Sequence, residues 1–302
     1  MEEVDSIVLN LGQENVLLLN ISLGLIMFGV ALDLKIENFR EIIRNPKAPL
    51  IGVFSQFIVL PFLTFLLVLL FKPGPSLALG MILVSACPGG NISNFMSSFS
   101  GGNAALSVSL TAISTALAII MTPFNLSFWG GMYAPTAAIL EIVELNPLDV
   151  FKTVTTILGI PIVLGMTIRH LKENFALRIL PYLQKISILI FAAFVVTAFY
   201  ANFDLFVSYI HVVVGIVFVH NAVALITGYQ IASLFGLQEA DKRALSIETG
   251  IQNSTLGLVL VLDFFNGLGG MAIVAAWWGI WHIISGLTMA FYWNRKKFVV
   301  EA

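Results

Sequence analysis

The chain has 302 residues, of which 58% are hydrophobic and only 11% are charged, and its mean hydropathy is +0.96. Soluble domains average about 45–50% apolar and ~25% charged residues, so this composition excludes a soluble globular protein and indicates an integral membrane protein. The net charge of −2 comes without a basic tail or stripe, which argues against nucleic acid as a partner. The single cysteine, Cys87, excludes an intramolecular disulfide framework and a cysteine-based metal cluster.

Apolar stretches of about 20 residues recur along the chain, and each is long enough to cross a hydrocarbon core ~30 Å thick as a helix. The acidic N-terminal segment lacks the basic region of a cleaved signal peptide, so the first stretch is expected to be a retained span. The pattern predicts an all-α integral membrane protein with nine transmembrane helices. They are predicted at 15–33, 47–71, 76–100, 103–130, 149–171, 180–200, 206–235, 240–265 and 270–294.

The basic residues predict the orientation of these spans, because Lys and Arg are enriched in cytoplasmic loops. All of them except Lys72 and Lys152 fall on one side of the predicted membrane. The chain is therefore predicted to be a multi-pass protein of the cell (inner) membrane, with its N-terminus outside and its C-terminus in the cytoplasm. The residues on the cytoplasmic side are Lys35, Arg40, Arg44, Lys47, Arg169, Lys172, Arg178, Lys185, Lys242, Arg243, Arg295, Lys296 and Lys297.

Two spans are interrupted near their middle, the third at "SACPGGNISN" and the eighth at "LSIETGIQN". A lone Pro-Gly-Gly is usually a kink packed against its neighbours. Here the eighth span carries a carboxylate at its interruption, and non-helical backbone at this depth is tolerated where it is buried in protein or lines a cavity. Two such breaks facing each other would direct helix N-termini at an anion and freed carbonyl groups at a cation.

A weak internal repeat accompanies the two breaks. "GVFSQF" lies in the span before the first break and "GIVFVHN" in the span before the second. The two units enter the membrane from opposite sides, which predicts an inverted-topology repeat of the kind found in many secondary transporters.

Glu248 is the only acidic residue well inside a predicted span, since Asp33 and Asp263 lie near span ends and can reach water. A carboxylate in a bilayer usually marks an ion or proton site, although a silent structural acid is the alternative. Hydroxyl side chains recur on one face of the fourth span, at Ser107, Thr111 and Ser114 or Thr115. Such residues often bond only their own backbone. Together with Gln56, Ser93, Asn94, Glu248 and Gln252, they nevertheless supply the oxygen shell that an alkali cation requires.

His220 and His282 lie in apolar spans, where a histidine is more often a packing residue than a ligand. No HExxH spacing links them, and no GxSxG motif or acid suggests a Ser-His-Asp arrangement. No catalytic residue is therefore predicted, and the chain is not expected to be an enzyme.

At "CPGGNISN" and "LSIETGIQN" the sequence resembles the bile acid:sodium symporter family, and "GVFSQFIVLP", "GGNAALSVSLTAIST" and "WWGIWHIISG" extend the likeness. The resemblance implies two broken, crossing helices within a core domain, residues 47–130 and 206–294, and a smaller panel domain, residues 15–33 and 149–200. Bacterial members often have ten spans, and this chain resembles the vertebrate liver and intestinal carriers in lacking the first one.

The resemblance also implies the residues of the site. One sodium site would use Ser93, Asn94, Ser107, Thr111 and Glu248. The other would use Gln56, Glu248 and Gln252, with the backbone carbonyls of Thr249 and Ile251. The substrate pocket between core and panel would involve Asn91, Asn253 and His282.

These observations predict sodium-coupled symport of an organic anion, with about two Na⁺ ions, by alternating access. The resemblance to the family implies a bile acid, a steroid conjugate or a small carboxylate such as pantoate, and the sequence does not choose among them. The expected partners are this anion, sodium and the lipid bilayer, with no obligate protein partner evident. Three alternatives stay open: a cation/proton antiporter with Glu248 as the proton carrier, an intramembrane enzyme using His220 or His282, and a receptor that binds the anion without moving it.

Overall fold

The computed structural model describes residues 13–34, 44–201 and 203–295, with side chains described except at 13–19, at 33 and at several positions between 184 and 212. Within these ranges every regular element is helical, which confirms the predicted all-α class. The helices are α1 Gln13–Asp33, α2 Lys47–Phe71, α3 Pro75–Ala86, α4 Ile92–Phe99, α5 Ala104–Met132, α6 Ala134–Ile142, α7 Pro147–Leu171, α8 Glu173–Ala201, α9 Phe203–Leu234, α10 Glu239–Gly250, α11 Ser254–Phe265 and α12 Gly269–Arg295.

Five helices of the described chain are long and apolar enough to cross a membrane: α2, α5, α7, α12 and residues 213–234 of α9. Shorter apolar helices occur at Asn20–Leu32, in α3 and in α11. The chain is therefore a multi-pass membrane protein, while the total of nine spans stays a prediction. Lys35, Arg40, Lys296 and Lys297, on which the predicted orientation partly depends, lie outside the described residues.

Helix α6 lies between the fourth and fifth predicted spans, in a segment that no predicted span covers. It begins beside Pro135, and proline is well tolerated in the first turn because the N–H it lacks has no partner there. The chain turns out of the helix at Glu144, which has a left-handed backbone with φ 50°. The helix has nine residues, which is too short to cross a membrane, so hydropathy did not predict it.

Two spans contain a π-helical turn that was not predicted, at Ser55–Val59 in α2 and at Thr155–Gly159 in α7. Each turn is followed by a proline, Pro61 and Pro161. Proline has no N–H for the helical ladder and crowds the carbonyl of the preceding turn, so the turn widens to relieve the conflict. In α2 the wider turn lies where Ser55 and Gln56 are buried in the interior.

The two predicted interruptions are present, and they contact each other. The first break, residues 87–91, separates α3 from α4, and the second break, residues 251–253, separates α10 from α11. The Gly90 amide donates to the Ile251 carbonyl at 2.7 Å, and the Asn253 amide donates to the Pro88 carbonyl at 2.8 Å. Backbone groups left without helical partners in one break are thus satisfied by the other.

The protein interior is centred on α3, in which every residue from Ser76 to Ala86 is buried. A helix that is apolar on all sides belongs in the middle of a bundle. It packs against α5 and α12, while α1 packs mainly on α7 and α8. Large apolar side chains such as Phe62, Leu66 and Leu70 of α2 are exposed on the outside, as expected for a surface that faces lipid.

Candidate ion-binding site

Glu248 lies near the C-terminal end of α10, just before the second break, and its side chain is only 4% exposed. Three hydroxyl groups surround its carboxylate. Ser93 Oγ of α4 donates to Oε2 at 2.6 Å, Ser107 Oγ of α5 reaches the same oxygen at 3.2 Å, and Thr111 Oγ1 reaches Oε1 at 2.8 Å. Ser107 and Thr111 are one helical turn apart, so both point to the same side of α5.

Asn94 completes what we call the Glu248 cluster, which consists of Ser93, Asn94, Ser107, Thr111 and Glu248. Asn94 Oδ1 lies 3.0 Å from Ser107 Oγ and 3.1 Å from Thr111 Oγ1. Each hydroxyl carries a single proton, so neither Ser107 nor Thr111 can donate to Asn94 and Glu248 at the same time. More oxygen acceptors therefore converge than there are protons to share, and a hard cation would supply the missing positive charge.

None of the ion pairs among the described residues includes Glu248. Burying an ionised carboxylate is costly unless a positive charge compensates it. The described chain also contains no group of three His, Cys, Asp or Glu side chains that could hold a metal ion. The chemistry of the cluster, one carboxylate with neutral oxygens, therefore suits an alkali cation better than a transition metal.

The two glycines of the first break make room for this arrangement. A Cβ atom on Gly89 would collide with the carboxylate of Glu248, and one on Gly90 would lie 3.0 Å from the Gln252 carbonyl oxygen. Gly89 also forms an isolated antiparallel bridge with Gln252. Sequence reasoning identified these glycines as helix breakers and missed their second role, which is to let the other break approach.

Gln56 and Gln252, which we call the glutamine pair, lie beside the Glu248 cluster. Gln56 Nε2 donates to Gln252 Oε1 at 2.7 Å and to the Cys87 carbonyl at 2.8 Å. Gln252 Nε2 in turn donates to the Thr249 carbonyl at 2.6 Å. The Ile251 carbonyl accepts from Gly90, so both carbonyls assigned to a second sodium site already have a protein partner. None of the hydrogen bonds described for these side chains joins Glu248 to the glutamine pair.

The three residues assigned to the substrate pocket are placed differently. Asn91 precedes α4, is half-buried, and makes no capping bond with its side chain. Asn253 caps α11 by accepting from the Leu256 amide at 3.0 Å, and its Nδ2 lies 4.0 Å from Met27 Sδ of α1. His282 of α12 is buried, and its Nδ1 has no hydrogen-bond partner. No hydrogen bond of the described side chains connects the three to one another.

Several polar residues flagged in the sequence have structural roles. Ser114 Oγ and Thr115 Oγ1 both bond the Thr111 carbonyl, at 3.1 and 2.6 Å, so the alternative that they serve their own helix backbone is correct. His220 Nε2 bonds Thr64 Oγ1 at 2.7 Å, and its ring packs against Trp278. Asp263 is exposed and pairs with Asn20, as expected for an acid near a span end.

Asn221 is a residue whose contact with the site the sequence did not predict. Its Nδ2 donates to the Gly250 carbonyl at 2.7 Å, at the end of α10, and its Oδ1 accepts from Ser285 Oγ at 2.5 Å. The one sequence feature that pointed to Asn221 is the weak repeat, in which Asn221 of "GIVFVHN" is the counterpart of Gln56 in "GVFSQF". A buried asparagine in an apolar helix gives no indication of which carbonyl it will reach.

Comparison with known proteins identifies the family. The sequence pattern of the Sodium Bile acid symporter family matches residues 20–209. The chain is 31% identical over 278 residues to the "uncharacterized sodium-dependent transporter YocS" of Bacillus subtilis, covering 92% of this chain and 83% of that protein. It is 30% identical to the rice "probable sodium/metabolite cotransporter BASS2, chloroplastic", covering 64% of it, and 32% identical to human "sodium/bile acid cotransporter 4", covering 53% of it. The protein therefore belongs to the sodium bile acid symporter family.

Proposed function

We propose that this protein is a sodium-coupled symporter that takes up an organic anion together with about two Na⁺ ions. The observation that carries the proposal is the buried Glu248 carboxylate, which lies where two broken helices meet. It is surrounded by neutral oxygens, and no cation of the described residues pairs with it. The relatives support the proposal, because their names describe sodium/metabolite and sodium/bile acid cotransporters. Membership of a transporter family also supports the proposal that the protein is not an enzyme.

The proposed architecture is an inverted-topology repeat of nine spans. Two equivalent hydrogen bonds support it: Gln56 donates to the carbonyl of Cys87 at the first break, and Asn221 donates to that of Gly250 at the second. In each case a side-chain amide of the span before the broken helix satisfies a carbonyl at the end of its first half. The proposed core domain is 47–130 and 206–294, and the proposed panel is 15–33 and 149–200. The packing of α1 on α7 and α8 is consistent with such a panel.

In the proposed mechanism, Na⁺ bound in the Glu248 cluster neutralises the carboxylate and joins α4, α5 and α10. The bonds between the two breaks then hold the first turns of α4 and α11 in a fixed relation. The N-termini of these half-helices carry a positive dipole end, which attracts an anion. Ion and anion thus raise each other's affinity by linkage, and the core then moves against the panel to alternate access.

The proposed second sodium ion binds at the glutamine pair, with the carbonyls of Thr249 and Ile251. Gln252 Nε2 donates to the Thr249 carbonyl in this structure, so an ion at that oxygen requires the amide to turn away. Glu248 adds its charge to this site from the neighbouring cluster. We therefore expect the second ion to bind in a rearranged form of the second break.

The proposed substrate residues are Asn91, Asn253 and His282. The Asn91 amide has no capping bond, and His282 Nδ1 has no partner, so both can serve a polar ligand group. Asn253 lies against Met27 of the proposed panel, where a substrate between the two domains would be held. The substrate class is a bile acid, a steroid conjugate or a small carboxylate such as pantoate.

The proposed location is the cell (inner) membrane, with the N-terminus outside and the C-terminus cytoplasmic. The basic residues of the described part support this orientation, since Arg169, Lys242, Arg243 and Arg295 all lie at helix ends on the predicted cytoplasmic side. No obligate protein partner is proposed.

The experiment that tests the proposal compares Glu248→Gln with the exposed control Glu141→Gln. For the purified wild-type protein, we expect Na⁺ but not K⁺ to raise the melting temperature. A sodium concentration of about 100 times the Kd should raise the free energy of unfolding by roughly 2.7 kcal/mol. The Glu248→Gln variant should lose this response and sodium-dependent uptake into proteoliposomes, whereas Glu141→Gln should keep both.

Organic anions are screened in the same assay with and without sodium. Full sodium-dependent uptake by Glu248→Gln would contradict the mechanism. Sodium extrusion driven by a pH gradient without any organic solute would instead select a cation/proton antiporter. Sodium-dependent binding without counterflow would select a receptor.

A further inference from the structure

A groove of about 380 Å³ lies outside the site just described, between α9 and α12, with α10 as its floor. Its walls are almost entirely apolar and come from Ala222, Leu225, Ile226, Tyr229, Met289 and Trp293. Ser246 is the one hydroxyl of the lining besides that of Tyr229, and its Oγ already donates to the Leu225 carbonyl at 2.7 Å. The groove therefore offers a ligand apolar surface rather than hydrogen bonds.

One end of the groove carries the aromatic residues that mark a membrane interface. The rings of Tyr229 and Trp293 stack there, with centroids 5.9 Å apart. Tyr and Trp are enriched at the level of the lipid headgroups because their rings are apolar and their tips are polar. From Tyr229 to Ala222 the groove then follows about two turns of α9, roughly 10 Å, toward the hydrocarbon core.

Lys242 lies at this end, and its contact with the nearest acid is long. Lys242 Nζ lies 6.0 Å from the centre of the Tyr229 ring and 4.0 Å from Glu239. Glu239 is itself engaged by Arg243 at 3.1 Å and by the Tyr229 hydroxyl at 2.9 Å. The Lys242 ammonium is therefore available to a negatively charged group that arrives at the headgroup level.

We propose that this groove binds one acyl chain of an anionic phospholipid, whose headgroup phosphate contacts Lys242 at the cytoplasmic end. A lipid matches each feature of the groove: an apolar channel, an aromatic pair at the interface and a cation beyond it. Anionic lipids are enriched in cytoplasmic leaflets, where basic residues attract them. A second copy of this chain would require a larger apolar surface than this narrow groove offers.

The bound chain would also affect the proposed sodium site, and this consequence rests on the proposed function. The groove floor is α10, and Ser246 lies two residues before Glu248. Leu225, a wall residue, packs so closely on Gly250 that a Cβ atom there would collide with its side chain. An occupied groove thus supports the helix that carries the carboxylate, and we expect anionic lipid to strengthen sodium binding.

Fluorescence quenching tests the lipid site directly. The wild-type protein is reconstituted in phosphatidylcholine vesicles containing a small, equal fraction of either brominated phosphatidylglycerol or brominated phosphatidylcholine. Bromine on the acyl chain should quench Trp293, and a contact with Lys242 should favour the anionic lipid by about fivefold. Trp293→Phe identifies the share of the signal that comes from the groove.

Three variants sharpen the result. Lys242→Gln should remove the preference for phosphatidylglycerol, Ala222→Phe should reduce quenching by both lipids, and the control Lys152→Gln at the opposite membrane side should change neither. Equal quenching of the wild type by both lipids would overturn the proposal. Absence of Trp293 quenching together with a dimer mass in nanodiscs would assign the groove to a second copy and overturn it as well.

The quenching is measured without sodium or substrate, so it is independent of transport. If phosphatidylglycerol quenches preferentially but the protein never responds to sodium, the proposed function fails and the lipid site stands. If sodium stabilises the protein but both lipids quench equally, the lipid site fails and the proposed function stands.

Discussion

The two breaks that meet beside Glu248 are formed in different ways. In the first break, Cys87 is extended, with φ −73° and ψ 158°, and it precedes Pro88, which disfavours the helical region for the residue before it. The following Gly89 and Gly90 lower helix propensity further and present no side chain. The local sequence of one proline and two glycines therefore favours the end of α3.

The second break contains neither proline nor an internal glycine. Ile251 is extended, with φ −106° and ψ 101°, although an isoleucine in an apolar span would ordinarily continue the helix. Its carbonyl accepts from Gly90, the Asn253 amide donates to Pro88, and Asn221 holds the Gly250 carbonyl. The second break is thus maintained by tertiary partners, most of which belong to the first. In this pair, the local sequence favours the first break, and contacts with the first break support the second.

The largest effect is expected from Gly89→Ala, which attacks the locally encoded break. The added methyl group would collide with the Glu248 carboxylate, so either the breaks separate or the carboxylate leaves its hydroxyl partners. We expect a loss of about 1–3 kcal/mol in stability, typical of overpacking, together with loss of the sodium-induced rise in melting temperature.

Gly257→Ala is the matched control for this substitution, because a Cβ atom at Gly257 would meet its neighbours at ordinary contact distances, the nearest being Cys87 Sγ at 3.6 Å. It should keep the sodium response and the wild-type melting temperature or a slightly higher one. A normal sodium titration for Gly89→Ala would mean that the two breaks do not depend on this close approach.

Asn221→Leu should weaken the second break by removing its support. The change leaves the buried Gly250 carbonyl without this donor, at a cost of about 1–3 kcal/mol. Hydrogen exchange followed by mass spectrometry should show faster exchange in peptides that cover residues 247–256 than in those that cover 84–94. An equal rise in exchange rate at both breaks would contradict the inference that the second break depends more on tertiary contacts than the first.

The smallest effects on stability are expected at Asn91 and Asn253, which directly precede α4 and α11. Asn253→Ala removes the bond from its side chain to the Leu256 amide and should lower stability by about 1 kcal/mol. Asn91→Ala is the matched comparison, since Asn91 makes no capping bond, and its stability should change by less than about 0.5 kcal/mol. Thermal unfolding in detergent measures both, and an equal loss in the two variants would show that Asn91 has an unrecognised structural role.

Much of the fold could be predicted because hydropathy and helix-breaking residues act locally. The predicted ends of α2 and α5 agree with the structure to within about two residues. The π-helical turns at Ser55–Val59 and Thr155–Gly159 were missed, since a proline in an apolar run is compatible with a kink, a widened turn or a helix start.

The candidate site was predicted in part for the same reason. A carboxylate inside an apolar span is rare enough to be noticed, and Ser107 and Thr111 share a helix face by their spacing alone. Ser114 and Thr115 have the same spacing, yet they bond their own helix. Only packing decides which hydroxyls of such a face meet an acid from another helix.

The sequence by itself determined that this chain is a helical membrane protein, where its two breaks fall and which acid lies within an apolar span, because each of these depends on the solvation and backbone freedom of neighbouring residues. The tertiary structure decided that Gly89 accommodates the Glu248 carboxylate, that Gln56 and Asn221 each bond a carbonyl at one break, and that the backbone of the second break bonds to that of the first. Those features depend on contacts between helices far apart in the chain, and no local pattern specifies which atoms will meet.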